Sequence, residues 1–287
     1  MKKVFFLLLL LFAYSQNGYA QSDVYEELKK TYDQLREESK EDSSLVVAKK
    51  MNAWALQFET DSSLRYAVSL RYVGNSFSGL SFNDSALYYW NKSLEALEKQ
   101  QRAESLEAAN CLNNFGILYS EIGDYKVAEP YYKQALEIRK KVLGEEHPNY
   151  VSSLNDIGIL YRRMGDYKSA EPYYKKALEI KKKALGEEDP VYAGSLNNLG
   201  LLYLAIGDYK TAEPYLKQTL EIRKKILGEE HPDYASSLDN LGGLYLYLAD
   251  YKVAEPYYKK AIEIRKKALG EDHPDYATSL NNLGILY

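Results

Sequence analysis

One segment of this chain recurs at a fixed interval of 42 residues. It begins at Leu112 as L-N-N-F-G-I-L-Y and begins again at Leu154, Leu196, Leu238 and Leu280. A period of roughly 20 to 50 residues is typical of repeat proteins, in which each structural unit packs only on its neighbours. The repetition therefore predicts a linear array of similar units rather than one closed core.

A glycine occupies the same place in every copy. These residues are Gly116, Gly158, Gly200, Gly242 and Gly284. One period earlier Gly74 keeps the place in a weaker copy, so we expect a degenerate repeat there. Glycine inside a helix costs about 1 kcal/mol relative to alanine. Its recurrence predicts that a second helix approaches closely at this point.

Each full copy predicts two helices separated by a short turn. In the copy at Leu112, Gly123 should end the first helix in a left-handed conformation, and Asp124 should cap the second. The second helix ends in a basic turn before Gly144. Pro130 falls near its start, where we expect an irregular or late first turn.

The motif L-x-x-L-G-x-x-Y, with an alanine twelve residues after the glycine and an aromatic residue four further on, resembles the tetratricopeptide repeat. Leu154 to Tyr174 read L-N-D-I-G-I-L-Y-R-R-M-G-D-Y-K-S-A-E-P-Y-Y. The usual repeat has about 34 residues. The longer form, with A-E-P-Y-Y-K-x-A-L-E-I and G-E-E-H-P, is similar to the kinesin-light-chain type, which also occurs in bacterial proteins. The resemblance implies an all-α fold, a right-handed α-solenoid of stacked antiparallel helix pairs.

The repeat spacing divides the chain into eight segments. They are a signal peptide (1–20), an N-terminal helical capping region (21–62), a degenerate repeat (67–108), four repeats (109–150, 151–192, 193–234 and 235–276) and a truncated repeat with its first helix only (277–287). In the capping region, Ser43 and Ser44 predict the start of the second helix. The truncated last repeat favours a fragment of a longer protein.

The first twenty residues have the pattern of a secretory signal peptide. Lys2 and Lys3 precede an apolar run over 4–13, and Ala20 precedes a predicted cleavage point before Gln21. Ten apolar residues are too few to cross a bilayer, which needs about 20. We expect an exported protein, periplasmic or secreted, with no membrane insertion after cleavage.

Composition and motifs predict no catalysis. The 37 basic and 41 acidic residues give a net charge of -4, which argues against nucleic-acid partners. The chain has no glycine-rich phosphate loop, no nucleophile–histidine set and no zinc-ligand spacing, so no cofactor is expected. His147, His231 and His273 share one turn position with Asp189, which predicts helix caps rather than a metal site. Serines replace Cys111 in the other copies, which indicates packing.

The resemblance implies that the first helices line a concave groove and that their asparagines bind a peptide backbone. An amide both donates and accepts hydrogen bonds. The first row is Asn114, Asp156, Asn198, Asn240 and Asn282; beside it lie Asn113, Asn155, Asn197, Asp239 and Asn281. The alternative is that these amides bond across neighbouring helices as structural rungs. Arg162, Arg163 and Tyr247 vary between copies and are candidates for specificity.

Two functions fit these patterns. The first is a non-catalytic scaffold that binds a partner protein or an extended peptide in the groove of the array. The second is the sensing or adaptor arm of a longer enzyme, a caspase-like peptidase or a histidine kinase, whose effector domain lies beyond residue 287. The oligomeric state stays open in both.

Overall fold

The computed structural model describes residues 21–61 and 63–287 and contains thirteen α-helices and no strand within them. The signal peptide predicted for residues 1–20 lies outside the described residues. The helices are α1 Gln21–Glu37, α2 Glu41–Phe58, α3 Leu64–Gly79, α4 Asn83–Lys99, α5 Leu106–Glu121, α6 Tyr125–Leu143, α7 Pro148–Arg163, α8 Tyr167–Leu185, α9 Pro190–Ile206, α10 Tyr209–Leu227, α11 Pro232–Tyr247, α12 Tyr251–Leu269 and α13 Pro274–Leu286. In the described part of the chain, no helix is both long and apolar enough to cross a membrane.

The chain divides after Val142 into two compact units. In the first unit each helix from α1 to α5 packs on the next one. In the second unit the same holds from α7 to α13, and α11 also touches α9 and α13 directly. Both units are therefore stacks of helix pairs, which confirms the all-α solenoid arrangement predicted from the repeats.

The repeated glycine is where paired helices touch. A Cβ atom on Gly158 of α7 would lie 2.6 Å from Cε1 of Tyr174 on α8. A Cβ atom on Gly242 of α11 would lie 2.7 Å from Cε1 of Tyr258 on α12. Both distances are too short for non-bonded carbon atoms, so only glycine allows the aromatic ring to lie against the helix. The close approach predicted from the glycine is confirmed.

The turns within the helix pairs follow the predicted chemistry. Gly207 ends α9 with φ at 85°, in the left-handed region. Asp208 then caps α10 by accepting a hydrogen bond at 3.1 Å from the backbone N–H of Thr211. In the fourth copy Ala249 replaces the glycine and adopts the same region, with φ at 57°. A non-glycine residue is strained there, so this turn is less favourable than the glycine turns of the other three full copies.

The turns between the copies are capped by the residue before the proline. His231 accepts a hydrogen bond at 3.1 Å from the N–H of Asp233 through Nδ1, and α11 begins at Pro232. Asp189 does the same for Val191 through Oδ1, at 2.7 Å. These contacts confirm the capping role predicted from the exchange of histidine and aspartate. The helices begin at the proline, two residues earlier than the tyrosine expected from sequence, because proline fits a first helical position.

The prediction for the prolines of the second helices was wrong. α6 begins at Tyr125 and contains Pro130 within a continuous helix. The proline removes one hydrogen bond, to the carbonyl of Lys126, and both residues are exposed. Water can therefore satisfy the freed carbonyl, and the helix needs no irregular first turn.

The N-terminal helices pack on the first repeat through aromatic rings and one arginine. The guanidinium of Arg65 lies 5.4 Å from the ring of Tyr25 and 5.8 Å from that of Trp54, and it pairs with Glu59 at 2.9 Å. The predicted start of α2 was wrong, because the helix begins at Glu41. Ser44 is buried one turn inside it and bonds to the Ser76 hydroxyl at 2.9 Å.

Candidate functional site

The first helices of the second unit (α7, α9, α11 and α13) share one face. α11 touches α9 and α13 on either side, while α10 and α12 cover its other flank. The residues left half-buried or exposed on these first helices therefore form a surface that runs across successive copies. We call this surface the first-helix face; within it, Asn198, Asn240, Leu201 and Tyr247 are half-buried or exposed.

Two members of the row that begins with Asn113 bond to the paired helix. Asn113 accepts a hydrogen bond at 3.1 Å from Nη1 of Arg139 on the paired helix. Asn155 donates to the carbonyl of Val151 in its own helix at 3.2 Å. Asp239, in the fourth copy, makes an ion pair with Arg265 at 2.6 Å. Asn113 and Asp239 therefore hold paired helices together, whereas Asn155 bonds only within α7, and a role for Asn155 in binding stays a prediction.

The row that begins with Asn114 contains both closed and open amides. Asn114 donates at 2.6 Å to Oδ1 of Asn75 in the preceding copy. Asn240 donates at 2.8 Å to Oδ1 of Asn197, again one copy back. These two bonds join neighbouring first helices, as in the structural alternative to peptide binding.

The open members of that row lie in the second unit. Asn198 and Asn282 are half-buried, and neither has a hydrogen-bond partner among the residues that the structure describes. Asp156, half-buried on α7, interacts with other residues and is not one of these open members. The structure therefore separates amides that already bond within the stack from amides still available to a ligand.

The residues that vary between copies lie at the ends of the first helices. Arg162 is half-buried and Arg163 is exposed at the end of α7. Tyr247 is 63% exposed at the end of α11, and its ring stacks on that of Tyr209 with centroids 5.9 Å apart and an angle of 12°. The first-helix face thus carries positive charge on one copy and an aromatic platform on another.

Ionised side chains join successive copies beside this face. The hydroxyl of Tyr203 donates to Oε1 of Glu171 at 2.7 Å, and Tyr245 repeats the contact with Glu213 at 2.7 Å. The Lys175 ammonium and the Tyr203 hydroxyl hold the pKa of Glu171 below its usual value. These bonds tie each first helix to the second helix of the preceding copy.

The buried pair of Asp239 and Arg265 is the strongest charged contact of the second unit. Arg265 also donates to the Ser279 hydroxyl at 2.6 Å and to the carbonyl of Asp275 at 2.9 Å, so it joins α11, α12 and α13. Burial raises the pKa of Asp239 above its usual value, although Arg265 and Ser279 act in the opposite direction. The pair is structural, because it lies inside the stack.

No group of three or more histidine, cysteine, aspartate or glutamate side chains that could hold a metal ion was found in residues 21–61 and 63–287. The three histidines lie as caps in three of the inter-copy turns, and Asp189 caps the turn between those of His147 and His231. Cys111 is fully buried and donates to the Ser93 hydroxyl at 3.3 Å. Burial raises its pKa to about 11, so the thiol is not ionised at neutral pH.

Sequence reasoning missed one residue of the face, Gly243. It follows the repeated Gly242 and stands where the second and third copies have Ile159 and Leu201. An extra glycine in one copy of a near-uniform array was the signal that could have found it.

Comparison with known families identifies the repeats. The tetratricopeptide repeat model matches residues 65–141, 128–183, 191–267 and 253–287. These matches cover most of the chain. A comparison with curated protein sequences found no match.

Several solved structures share the fold. BtubC (BKLC) from P. vanneervenii is 22% identical with a TM-score of 0.69, over 82% of this chain and 94% of that one. A putative kinesin light chain from Podosopora anserina with nearly identical TPR-like repeats is 25% identical with a TM-score of 0.54, over 63% of this chain and 85% of that one. NprR in complex with its cognate peptide NprX is 16% identical with a TM-score of 0.59, over 100% of this chain and 85% of that one. By its matched repeats and its stacked helix pairs, this chain belongs to the tetratricopeptide-repeat family.

Proposed function

We propose that this protein is a non-catalytic scaffold that binds a segment of a partner protein on the first-helix face of its second unit. One observation carries the proposal: the Asn198 amide is half-exposed on this face and has no partner among the described residues. An amide presents one acceptor and two donors side by side, which matches the N–H and C=O groups of a peptide backbone. A ligand that binds Asn198 breaks no internal bond.

The closed amides are less suited to this role. Asn114 and Asn240 already donate to Asn75 and Asn197 at 2.6 Å and 2.8 Å. A ligand that accepted a hydrogen bond from either amide would have to break a hydrogen bond within the stack. The loss of that bond would cancel most of the binding free energy gained. Asn198 is therefore the first residue to test, ahead of the other asparagines of its row.

Specificity would come from the side chains that differ between copies. Arg162 and Arg163 place positive charge at the end of α7, while Tyr247 places an aromatic ring at the end of α11. Charged groups at a binding surface select partners and raise association rates more than they raise affinity. The peptide complex of NprR, which shares the fold, supports a peptide segment as the ligand.

The proposal is tested by affinity capture from the cell envelope. We expect the Asn198→Ala variant to lose a partner that the unaltered protein retains. The matched control is Glu221→Ala, because Glu221 is exposed on α10, away from the first-helix face. Circular dichroism should show equal helix content in all three proteins. Recovery of the same partners by Asn198→Ala and by the unaltered protein would contradict the assignment.

We also propose that the protein is exported and acts in the periplasm or outside the cell. The sequence pattern of residues 1–20 supports this proposal. N-terminal sequencing of the mature protein should start at Gln21. A mature chain that still starts at Met1 and stays in the cytoplasm would rule export out.

The sensor-arm function is the second candidate. A signal transduction ATPase from Pyrococcus horikoshii with a tetratricopeptide repeat sensor matches over 92% of this chain but only 39% of that one, at 16% identity and a TM-score of 0.73. That structure shows that such a stack can stand beside an enzyme domain in one protein. The gene sequence after the codon of Tyr287 distinguishes the two functions, since only the second requires an effector domain there.

A further inference from the structure

Two consecutive glycines lie inside α11, and packing requires only the first. A Cβ atom on Gly242 would approach Cε1 of Tyr258 to 2.7 Å. A Cβ atom on Gly243 would meet one atom outside its own helix, the hydroxyl oxygen of Tyr258, at an ordinary distance of 3.7 Å. Glycine inside a helix is less favourable than alanine. Gly243 therefore weakens α11 without a packing benefit.

The other copies fill this position with an aliphatic side chain. The equivalent residues are Ile117, Ile159, Leu201 and Ile285. Gly243 has no side chain, so the space that an aliphatic side chain fills in the other copies is left open in the first-helix face, and we call this space the hollow. Asn240 lies one turn before it on α11, and the exposed Tyr247 lies one turn after it. The hollow is thus flanked by an amide and an aromatic ring on one face of the helix.

The floor of the hollow is a polar group, the hydroxyl of Tyr258. Tyr258 is 2% exposed, and its hydroxyl has no hydrogen-bond partner among the described residues. This oxygen is the atom nearest to the place that a side chain at position 243 would occupy. In the second copy the hydroxyl of Tyr174 also lacks a partner, but it is fully buried and position 159 is filled by isoleucine. A group that enters the hollow can therefore reach Tyr258 but has no equivalent route to Tyr174.

We propose that the hollow receives the backbone of an extended segment of the partner, which accepts a hydrogen bond from the Tyr258 hydroxyl through one carbonyl oxygen. This proposal rests on the proposed function and names the conformation of its ligand. Glycine is the residue that lets a ligand backbone approach a helix closely. A helical ligand bonds all but its last four carbonyls internally, so an extended segment offers an acceptor to Tyr258 at more positions.

The neighbouring residues complete the site. Asn240 uses its amide nitrogen for Asn197, so its Oδ1 atom is left to accept a hydrogen bond. In an extended chain the N–H and C=O of one residue point to the same side. One residue of the segment can therefore donate to Asn240 and accept from Tyr258. Its neighbour then packs on Tyr247, whose ring already stacks on Tyr209.

The first arm of the test measures stability and needs no ligand. Gly243→Ala and Gly243→Ile should both leave the melting temperature unchanged or raise it, because a Cβ atom at position 243 makes no close contact and glycine is unfavourable inside a helix. Tyr258→Phe should also be neutral, since its hydroxyl has no internal partner. A melting temperature several degrees lower for Gly243→Ala would show that the glycine is structural and would overturn the proposal.

The second arm measures binding with a defined probe, a phage-displayed library of random linear peptides selected against the full chain. Peptides selected on the unaltered protein should lose about tenfold or more in affinity for Gly243→Ile, because the isoleucine fills the hollow. They should lose about three- to tenfold for Tyr258→Phe, the size expected for one hydrogen bond. Tyr174→Phe is the matched control and should leave the affinity unchanged.

The outcomes separate the two proposals. Selected peptides that lose affinity for Asn198→Ala or Tyr247→Ala but bind Gly243→Ile normally would overturn the hollow and leave the proposed function standing. A library that yields no peptide sensitive to any substitution on the first-helix face would overturn both. Loss of binding on N-methylation of a single peptide residue, with Gly243→Ile also inactive, would support the backbone contact.

Discussion

Two adjacent rows of residues on the first helices differ in whether there is room for a side chain. One row is Gly116, Gly158, Gly200 and Gly242, and a Cβ atom at any of them would come within 2.6 to 2.7 Å of a side chain on the paired helix. The other row, one residue further on, is Ile117, Ile159, Leu201 and Gly243. The first row faces the paired helix and never changes, while the second lies on the surface and varies. A step of one residue around a helix thus separates positions that pack from positions that we propose for recognition.

The largest effect is expected from removing a buried charge that holds paired helices together. Arg265→Met should cost about 3 to 5 kcal/mol, because it leaves the buried Asp239 carboxylate without its partner at 2.6 Å. Arg265→Lys is the control, since Lys181 holds the equivalent place in the second copy, and it should cost less. Urea unfolding followed by circular dichroism measures both. A loss below about 1 kcal/mol for Arg265→Met would show that the pair does not hold the stack together.

The two rows are compared directly by the same substitution at one position of each. Gly158→Leu should cost about 3 kcal/mol, because the new side chain has no space beside Tyr174. Gly243→Leu should cost nothing, because that position is open. Midpoints of urea unfolding give the difference. Equal losses for the two variants would remove the distinction between the rows.

Much of the packing between the helices could be predicted from sequence. The period, the helix pairs, the close approach at Gly158 and the caps at Asp189 and His231 all follow from local chemistry that each copy repeats. The error at Pro130 has a physical reason: the cost of proline depends on whether the freed carbonyl reaches water, which sequence does not show.

The candidate binding residues were harder to predict from sequence. The resemblance marked the asparagine row but could not tell which amides would bond within the stack, because that depends on rotamers and on the preceding copy. Asn240 donates to Asn197, whereas Asn198 has no partner in the described residues. Gly243 was hidden by the conserved Gly242 beside it. Only the distance to Tyr258 shows that one glycine is required and the other is not.

A pH series tests the buried carboxylate of the fourth copy. Burial raises the pKa of Asp239 in the folded protein above its usual value, which is about 4 in an unfolded chain. The folded state therefore binds the proton more tightly, and the stability contribution present below about pH 4 is lost as the pH rises through the folded pKa. Asp239→Asn, which restores the residue of the other copies, should remove this dependence.

The size of the effect is about 1.4 kcal/mol for each unit by which the pKa is raised. The unfolding free energies of the unaltered protein and of Asp239→Asn, measured from about pH 3 to 8, should diverge in favour of the variant as the pH increases. Parallel curves would show that Arg265 and Ser279 fully offset the cost of burial.

The smallest effect is expected from removing single tyrosine hydroxyl groups, one with a hydrogen-bond partner and one without. Tyr245→Phe removes the bond to Glu213 at 2.7 Å and should cost about 1 kcal/mol. Glu213 keeps its partner Lys217 at 2.7 Å, so no charge is left unpaired. Tyr258→Phe removes a hydroxyl that bonds to nothing in the described chain and should cost nothing. If Tyr258→Phe proved the costlier of the two, its hydroxyl would have a partner within the stack, and the hollow at Gly243 would be a packing defect rather than a binding position.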